Sequence, residues 1–153
     1  MRSFADALHS VAVTLWVGGM WVAGFVVAPL LFSRLPDRAL AGMLAGRLFT
    51  IVAFIGIACA AYLLFYRLMR FGAAGFKQGF FWIALLMLLL ILVGEFGVQP
   101  VLESLKAQAL PKEVMASVFR KRFDTWHGVA SGLYVIESVL GIALVVLQHR
   151  GPK

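Results

Sequence analysis

The sequence predicts an all-α integral membrane protein, an antiparallel bundle of four transmembrane helices. Three observations support this fold class: four long apolar stretches, few charged residues, and the location of those charges between the stretches. Hydrophobic residues make up 62% of the 153 positions and charged residues 14%, whereas soluble domains have about 45–50% and 25%. Since about 20 apolar residues cross the hydrocarbon core of a bilayer, each stretch can span it. We expect a single transmembrane domain over residues 1–153.

The four spans are predicted at residues 8–32, 48–66, 80–98 and 127–147. The first exceeds the apolar core of a signal peptide, which has about 7–15 residues, so we expect it to persist as a helix. Gln99 and Pro100 are predicted to end the third span, because proline lacks the amide hydrogen that a helix interior uses. The fourth span carries the most polar side chains of the four.

The three connections differ in length and pattern. Residues 67–78 form a basic, glycine-containing segment, which predicts a short turn between spans two and three. Residues 33–47 repeat apolar side chains at helical spacing after Pro36 and Asp37, and residues 100–126 do the same among basic residues. We therefore predict a short interfacial amphipathic helix in the first and third connections. The apolar face of the second such helix would comprise Val114, Met115, Val118, Phe119 and Phe123.

The net charge of +7 has two explanations, an anionic membrane surface or a nucleic acid. Basic residues that flank apolar spans are the usual membrane pattern, and a basic amphipathic segment binds anionic lipid. We predict membrane lipid as a partner and no nucleic acid. The expected location is the bacterial inner (plasma) membrane, which the chain would cross several times.

Polar side chains follow one flank of the fourth span. At 100° per residue, His127, Ser131, Tyr134 and Ser138 lie within about 40° of one line along the helix surface. The carboxyl of Glu137 lies about 80° to the side of that line. Ionisable groups at membrane depth are costly and usually face the bundle interior. The pattern predicts a proton, ion or ligand site, and its alternative is a protonated or hydrogen-bonded carboxyl that locks the bundle. The candidates are His127, Ser131, Tyr134, Glu137 and Ser138, with Glu95 from span three.

Two histidines raise the question of a bound haem. His9 begins span one and His127 begins span four, and antiparallel threading places these two starts on opposite sides of the bilayer, roughly 30 Å apart, so one chain should not clamp one iron between them. A single axial ligand to haem b, or ligands from two chains, is left open. No close pair of ligating residues appears, so no metal site is predicted. No catalytic constellation appears either, which favours a protein that is not an enzyme.

Small residues four positions apart let transmembrane helices approach closely. We therefore predict helix-packing seams at Gly19 and Ala23 and at Gly24 and Ala28 in span one, at Gly56 and Ala60 in span two, and at Gly128 and Gly132 in span four. A homo-oligomer held by these seams is an alternative function for the chain.

Two segments carry a family resemblance. The run from His9 through Trp16 and Gly19 to Pro36 resembles the start of the domain of unknown function 4149 family, which includes transmembrane protein 205-like proteins. The segment 123–131 resembles the second, His-Gly-containing signature of that family. The resemblance implies a small four-span membrane protein of undefined activity. The matching positions are His9, Trp16, Gly19, Pro29, Phe32, His127 and Gly128.

More distantly, a histidine that opens the first of four helices is similar to the copper-resistance CopD-like group and to the haem-binding protoporphyrinogen oxidase of bacteria. That likeness implies haem. Three hypotheses follow. The leading one is a non-enzymatic membrane protein with a ligand or proton site near Glu137 and His127. The others are a haem-binding redox protein or oxidase that uses His9, and a homo-oligomeric assembly partner.

Overall fold

The structure, a computed structural model, describes residues 4–108 and 118–149. In those ranges the chain is helical and contains no strand. Four helices are long and apolar enough to cross a membrane, and we call them spans one to four. They are Phe4–Arg34, Arg38–Lys77, Gly79–Leu105 and Lys121–Leu147. The prediction of an all-α, multi-pass membrane protein is confirmed.

The spans are built from six α-helices joined by shorter turns. The α-helices are α1 (Phe4–Trp21), α2 (Ala28–Arg34), α3 (Arg38–Phe71), α4 (Gly79–Leu92), α5 (Gln99–Gln108) and α6 (Val118–Leu147). A π-helical turn, Val22–Val27, joins α1 to α2, and a second one, Val93–Val98, joins α4 to α5. A 3₁₀ turn, Gly72–Lys77, connects spans two and three.

Each π-helical turn precedes a proline inside a span. The amide of Ala28 donates to the carbonyl of Ala23, and that of Gln99 donates to the carbonyl of Gly94, five residues back in both cases. Proline has no amide hydrogen and crowds the preceding turn, and the wider π register accommodates it. Span three therefore continues through Pro100, where the sequence predicted its end.

Contacts between α-helices define a four-cornered bundle. Helix α1 packs against α3 and α6, and α4 packs against the same two helices. The core between them is filled by large side chains that are almost completely buried, chiefly Trp16, Leu63, Phe80, Met87 and Leu144. Many other large apolar side chains point outwards, as expected for helices surrounded by lipid.

The connections differ in part from prediction. Asp37 caps α3 as expected, since its carboxylate accepts from the amides of Ala39 at 2.8 Å and Leu40 at 3.3 Å. However, the helix that starts there runs unbroken into span two, so no separate interfacial helix exists over 33–47. In the third connection α5 is helical and α6 begins at Val118, already continuous with span four. Val114 and Met115 lie outside the described residues.

Candidate functional site

A buried polar cluster joins all four spans at one end of the bundle. We call it the terminal cluster; it comprises Asp6, His9, Tyr66, Arg67, Gln78 and the carbonyl of Gln148. Arg67 is only 2% exposed. Its Nη1 donates to Oε1 of Gln78 at 2.7 Å, and its Nη2 donates to the carbonyl of Gln148. One guanidinium thus connects span two with span three and with the segment that follows span four.

Aromatic rings enclose the charged part of this cluster. The guanidinium of Arg67 lies 4.2 Å from the ring centroid of Phe80 and 5.6 Å from that of Phe71, both cation–π distances. The ring of His9 lies 4.9 Å from that of Tyr66 and 5.3 Å from that of Phe80. The hydroxyl of Tyr66 donates to the carboxylate of Asp6. Span one is fixed to span two through these contacts.

Outside the charged residues, two nitrogen atoms of the terminal cluster have no hydrogen-bond partner among the described residues. They are Nε2 of His9 and Nε2 of Gln78, and both side chains are 5% exposed. An unpaired buried polar atom costs about 1–3 kcal/mol, so such atoms are uncommon in a native protein. The hydrogen bonding of His9 and Gln78 is therefore incomplete within the described residues.

An apolar layer follows the terminal cluster towards the middle of the bundle. Val13, Trp16 and Val17 continue span one after His9, and Leu144 precedes Gln148 on span four. All four side chains belong to the buried core. The eleven residues from Gln148 back to Glu137 correspond to about 16 Å along the helix axis. The two polar regions of the bundle are therefore separated by several close-packed side chains.

The second polar region, which we call the central site, lies between spans one and four and comprises Trp21, Gly24, Tyr134, Glu137 and Ser138. The hydroxyl of Tyr134 donates to the carbonyl of Met20. Trp21 Nε1 donates to the carbonyl of Ser138 at 3.3 Å, and the hydroxyl of Ser138 donates to the carbonyl of Tyr134 at 2.7 Å. A Cβ at Gly24 would overlap the Tyr134 ring, so only glycine admits this ring.

Glu137 is the buried carboxyl of the central site. Its side chain is 8% exposed, and no hydrogen bond or ion pair reaches it within the described part of the chain. Tyr134 is close enough to interact with it electrostatically. The structure thus places a carboxyl in the interior of span four without the hydrogen bonds from described residues that a structural lock would need.

The polar flank of span four divides into two parts. Tyr134 is half-buried and Ser138 is buried, whereas His127 and Ser131 are exposed. The imidazole of His127 stacks on the ring of Phe123, with 5.8 Å between the ring centroids, and does not face Glu137. At this level the ring of Tyr134 packs against Phe25 and Phe49, and the side chains of the first turns of span four remain outside the bundle. Glu95 is half-exposed in the second π-helical turn.

The closest helix approaches at glycines occur at Gly24, Gly56 and Gly141, of which the first two belong to predicted seams. Added Cβ atoms would stand 2.8 Å from Trp16 Nε1 at Gly56 and 3.1 Å from Val17 at Gly141. At Gly19, Gly128 and Gly132 nothing described lies within 4 Å. Ala23, the partner of Gly19 in the predicted seam, is itself buried. The contacts within the chain therefore use a different face of span four from the one that carries Gly128 and Gly132.

The surroundings of His9 do not fit a haem in this arrangement of helices. An axial ligand needs open space beside its free nitrogen, but Nε2 of His9 is enclosed and two rings pack on the imidazole. His127 stacks instead on Phe123, at the start of span four. No group of three or more His, Cys, Asp or Glu in the described ranges could hold a metal ion.

Sequence reasoning missed Arg67, Gln78, Tyr66 and Asp6. Asp6 lies in the first turn of α1, Tyr66 and Arg67 lie in the last two turns of α3, and Gln78 directly precedes α4. Charged and polar residues are expected at such helix ends, near a membrane surface. The antiparallel order of the spans could have revealed them, because it places the starts of spans one and three beside the ends of spans two and four. Their polar end residues could therefore have been expected to meet.

A family model described as "Domain of unknown function (DUF4149)" matches residues 11–111. The matched region contains Trp16, Gly19, Pro29 and Phe32, while His9 and span four lie outside it. No curated protein matches the chain significantly, and no solved structure does. The more distant likeness to the CopD-like group and to protoporphyrinogen oxidase is not shown.

Proposed function

We propose that this chain, a member of the DUF4149 family, is a non-enzymatic multi-pass membrane protein that binds and exchanges a proton at Glu137. The observation that carries the proposal is the buried carboxyl without a hydrogen-bond partner in the middle of span four. A carboxyl at membrane depth is expensive to keep as an anion, and ionisable residues retained there commonly serve proton or ion pathways. Gaining or losing a proton changes its charge and therefore its interaction with the bundle.

The neighbours of Glu137 support this role over a purely structural one. Tyr134 and Ser138 direct their hydroxyl hydrogens to backbone carbonyls of Met20 and Tyr134, and neither donates to the carboxyl in the structure. Gly24 lets the Tyr134 ring approach span one, so the position of that ring depends on how closely the two spans pack. A change of charge at Glu137 would act directly on this contact between spans one and four.

Infrared spectroscopy of the protein in lipid nanodiscs tests the proposal. A protonated carboxylic acid has a carbonyl stretching band distinct from those of carboxylate and amide. We expect the wild-type protein to show such a band, changing with pH, and Glu137→Gln to lack it. Glu95→Gln is the matched control, because it removes a half-exposed carboxyl from span three and should retain the band.

Two results would contradict the proposal. If the Glu137→Gln spectrum kept the wild-type band, the protonated group would lie elsewhere. If the wild-type spectrum showed no protonated carboxyl over the whole pH range in which the protein stays folded, Glu137 would be a permanent anion. The Glu95→Gln control shows whether a lost band is specific to the central site.

A second candidate function is homo-oligomeric assembly, which one observation favours. Gly128 and Gly132 are exposed on span four and meet no described helix of their own chain. Small residues at this spacing promote association of membrane helices. Detergent-resistant oligomers that disappear in Gly128→Leu but persist in Gly94→Leu would support assembly through this face. A monomeric wild-type protein in mild detergent and in nanodiscs would rule it out.

A further inference from the structure

Span one separates from span four at its π-helical turn. Within the described ranges, α1 packs against α6, whereas the turn Val22–Val27 and α2 pack against α3. The other packing partners of α6 are α4, α5 and the turn Val93–Val98. The start of span four is therefore separated from the end of span one, and we call the space between them the α2–α6 gap.

The polar flank of span four faces this gap. The ring of Tyr134 packs beside Gly24 and its hydroxyl donates to the carbonyl of Met20, so this flank is the one that meets span one. At 100° and 1.5 Å per residue, Ser131 and His127 lie within about 60° of Tyr134 and about 5 and 10 Å further towards the start of span four. Because spans one and four are antiparallel, both side chains lie level with α2, and both are exposed.

Polar side chains form a stepped series from Glu137 to the gap. The series Glu137, Tyr134, Ser131 and His127 has intervals of three, three and four residues. Side chains at these intervals share a side of the helix, with about 5–6 Å between Cβ atoms. Hydroxyl groups and neutral imidazoles both donate and accept hydrogen bonds, and single waters bridge polar groups over such distances. The flank therefore supplies the groups that a chain of waters needs to reach the carboxyl.

The opposite direction along the bundle is closed by apolar packing. Residues 139–147 of span four carry no polar side chain before Gln148. Val17, Met20 and Leu144 belong to one buried cluster in this part of the bundle. Protein interiors are close-packed and hold few voids as large as a water molecule. Water therefore cannot reach Glu137 from the terminal cluster unless the core rearranges.

We infer that Glu137 exchanges its proton with one side of the membrane only, the side on which span four begins, through water in the α2–α6 gap. In each exchange a hydronium ion gives its proton to the carboxylate of Glu137, which leaves water and a neutral carboxylic acid, and the reverse step returns the proton to water. Ser131 and His127 are positioning residues for the waters along this route. The proton route rests on the proposed exchange at Glu137, whereas the presence of water in the gap does not depend on it.

Accessibility of introduced cysteines tests for water in the gap. The native Cys59, which is buried, is first replaced by alanine, and each variant then carries one new cysteine. A charged, membrane-impermeant methanethiosulfonate modifies thiolates, which form in water and not in lipid or in a packed core. We expect Ser131→Cys to react at least about tenfold faster than Val17→Cys in the buried core and than Val129→Cys. Val129 is the matched control, because it is exposed at nearly the same depth but about 160° away around the helix.

Two surface cysteines identify the sides of the membrane. Ala73→Cys lies in the exposed part of the 3₁₀ turn beside the terminal cluster, and Thr125→Cys lies in the exposed first turns of span four. Sealed vesicles hold the protein in a single orientation, and the reagent is added outside. It should modify Ser131→Cys in the vesicles in which it modifies Thr125→Cys, and not in those in which it modifies Ala73→Cys.

The time course of the Glu137 carboxyl band connects the gap with proton exchange. Ser131→Phe fills the gap with a ring, and after a pH jump it should slow the change of the band at least about tenfold. Ser131→Thr keeps the hydroxyl and should respond at the wild-type rate. Val129→Phe adds the same ring on the other side of the helix and should not slow the response.

Three outcomes would overturn the inference. Equal reaction rates of Ser131→Cys and Val129→Cys would show that the gap holds lipid and not water. Modification of Ser131→Cys from the side that modifies Ala73→Cys would place the opening at the other end of the bundle. A wild-type time course in Ser131→Phe would mean that the proton takes another route. If Ser131→Cys reacts as expected but the protein has no Glu137 band, proton exchange is wrong and the water-filled gap stands.

Discussion

The terminal cluster and the central site are both buried and polar, but they are connected to the bundle in different ways. Arg67 bonds to Gln78 and to the carbonyl of Gln148, so that one side chain ties together three parts of the chain. Glu137 is buried to a similar degree, yet no described group bonds to it. The comparison separates a polar group that holds helices together from one that the packing leaves available for chemistry.

The largest effect should follow from removing the guanidinium of the terminal cluster. Arg67→Met deletes the hydrogen bonds to Gln78 and Gln148 and leaves these two acceptors without their donor. We expect the free energy of unfolding to fall by about 3 kcal/mol, as for other buried charged groups that lose a partner. Denaturant titration in detergent micelles, followed by circular dichroism, measures the loss.

Arg70→Met is the control for that prediction. Arg70 is exposed nearly one turn further along the same helix, so its removal should change the free energy of unfolding by less than about 0.5 kcal/mol. Equal losses in the two variants would mean that positive charge at this end of the bundle matters, and not the bonds that Arg67 makes.

A smaller loss is expected where spans one and four meet at the central site. In Gly24→Ala the new methyl group would overlap the ring of Tyr134, so the ring must move and its bond to the carbonyl of Met20 is lost. We expect about 2 kcal/mol of destabilisation in the same titration. Gly18→Ala lies on the same helix with nothing described within 4 Å, and it should lose no stability. Equal stability of Gly24→Ala and wild type would show that Tyr134 does not need this close approach.

We expect the protein not to bind added haem. Because His9 is enclosed by Tyr66 and Phe80, the purified protein incubated with haem should show no stoichiometric Soret band that shifts on reduction with dithionite. The His9→Ala variant should give the same optical spectrum as wild type. A one-to-one Soret band that His9→Ala abolishes would show that the bundle opens around His9 and would revive the haem hypothesis.

The four spans could be predicted because bilayer thickness dictates the length of an apolar helix, whatever its neighbours. Glu137 could be singled out for a related reason: it is an ionisable residue near the middle of an apolar span, where such groups are costly. The length of an apolar helix and the depth of a residue within it are both properties of one continuous segment. They can be derived without knowing how the segments pack against each other.

The remaining features depend on contacts between segments. His127 and Ser131 share the predicted flank with Ser138, but only the later part of that flank packs into the bundle. Arg67 and Gln78 belong to the segment predicted as a basic turn, and their burial follows from the meeting of all four spans. Span three continues through Pro100 because a π-helical turn precedes it, and the pattern of apolar residues does not reveal such a turn.

The free energy of unfolding of Glu137→Gln, measured beside Arg67→Met, tests the central claim most directly. Glutamine has nearly the shape of a protonated glutamate, and Glu137 makes no described hydrogen bond that the substitution could break. We predict a value within about 0.5 kcal/mol of wild type, while Arg67→Met loses about 3 kcal/mol. A loss in Glu137→Gln as large as that in Arg67→Met would show that the carboxyl locks the bundle, and would contradict the contrast between the two regions.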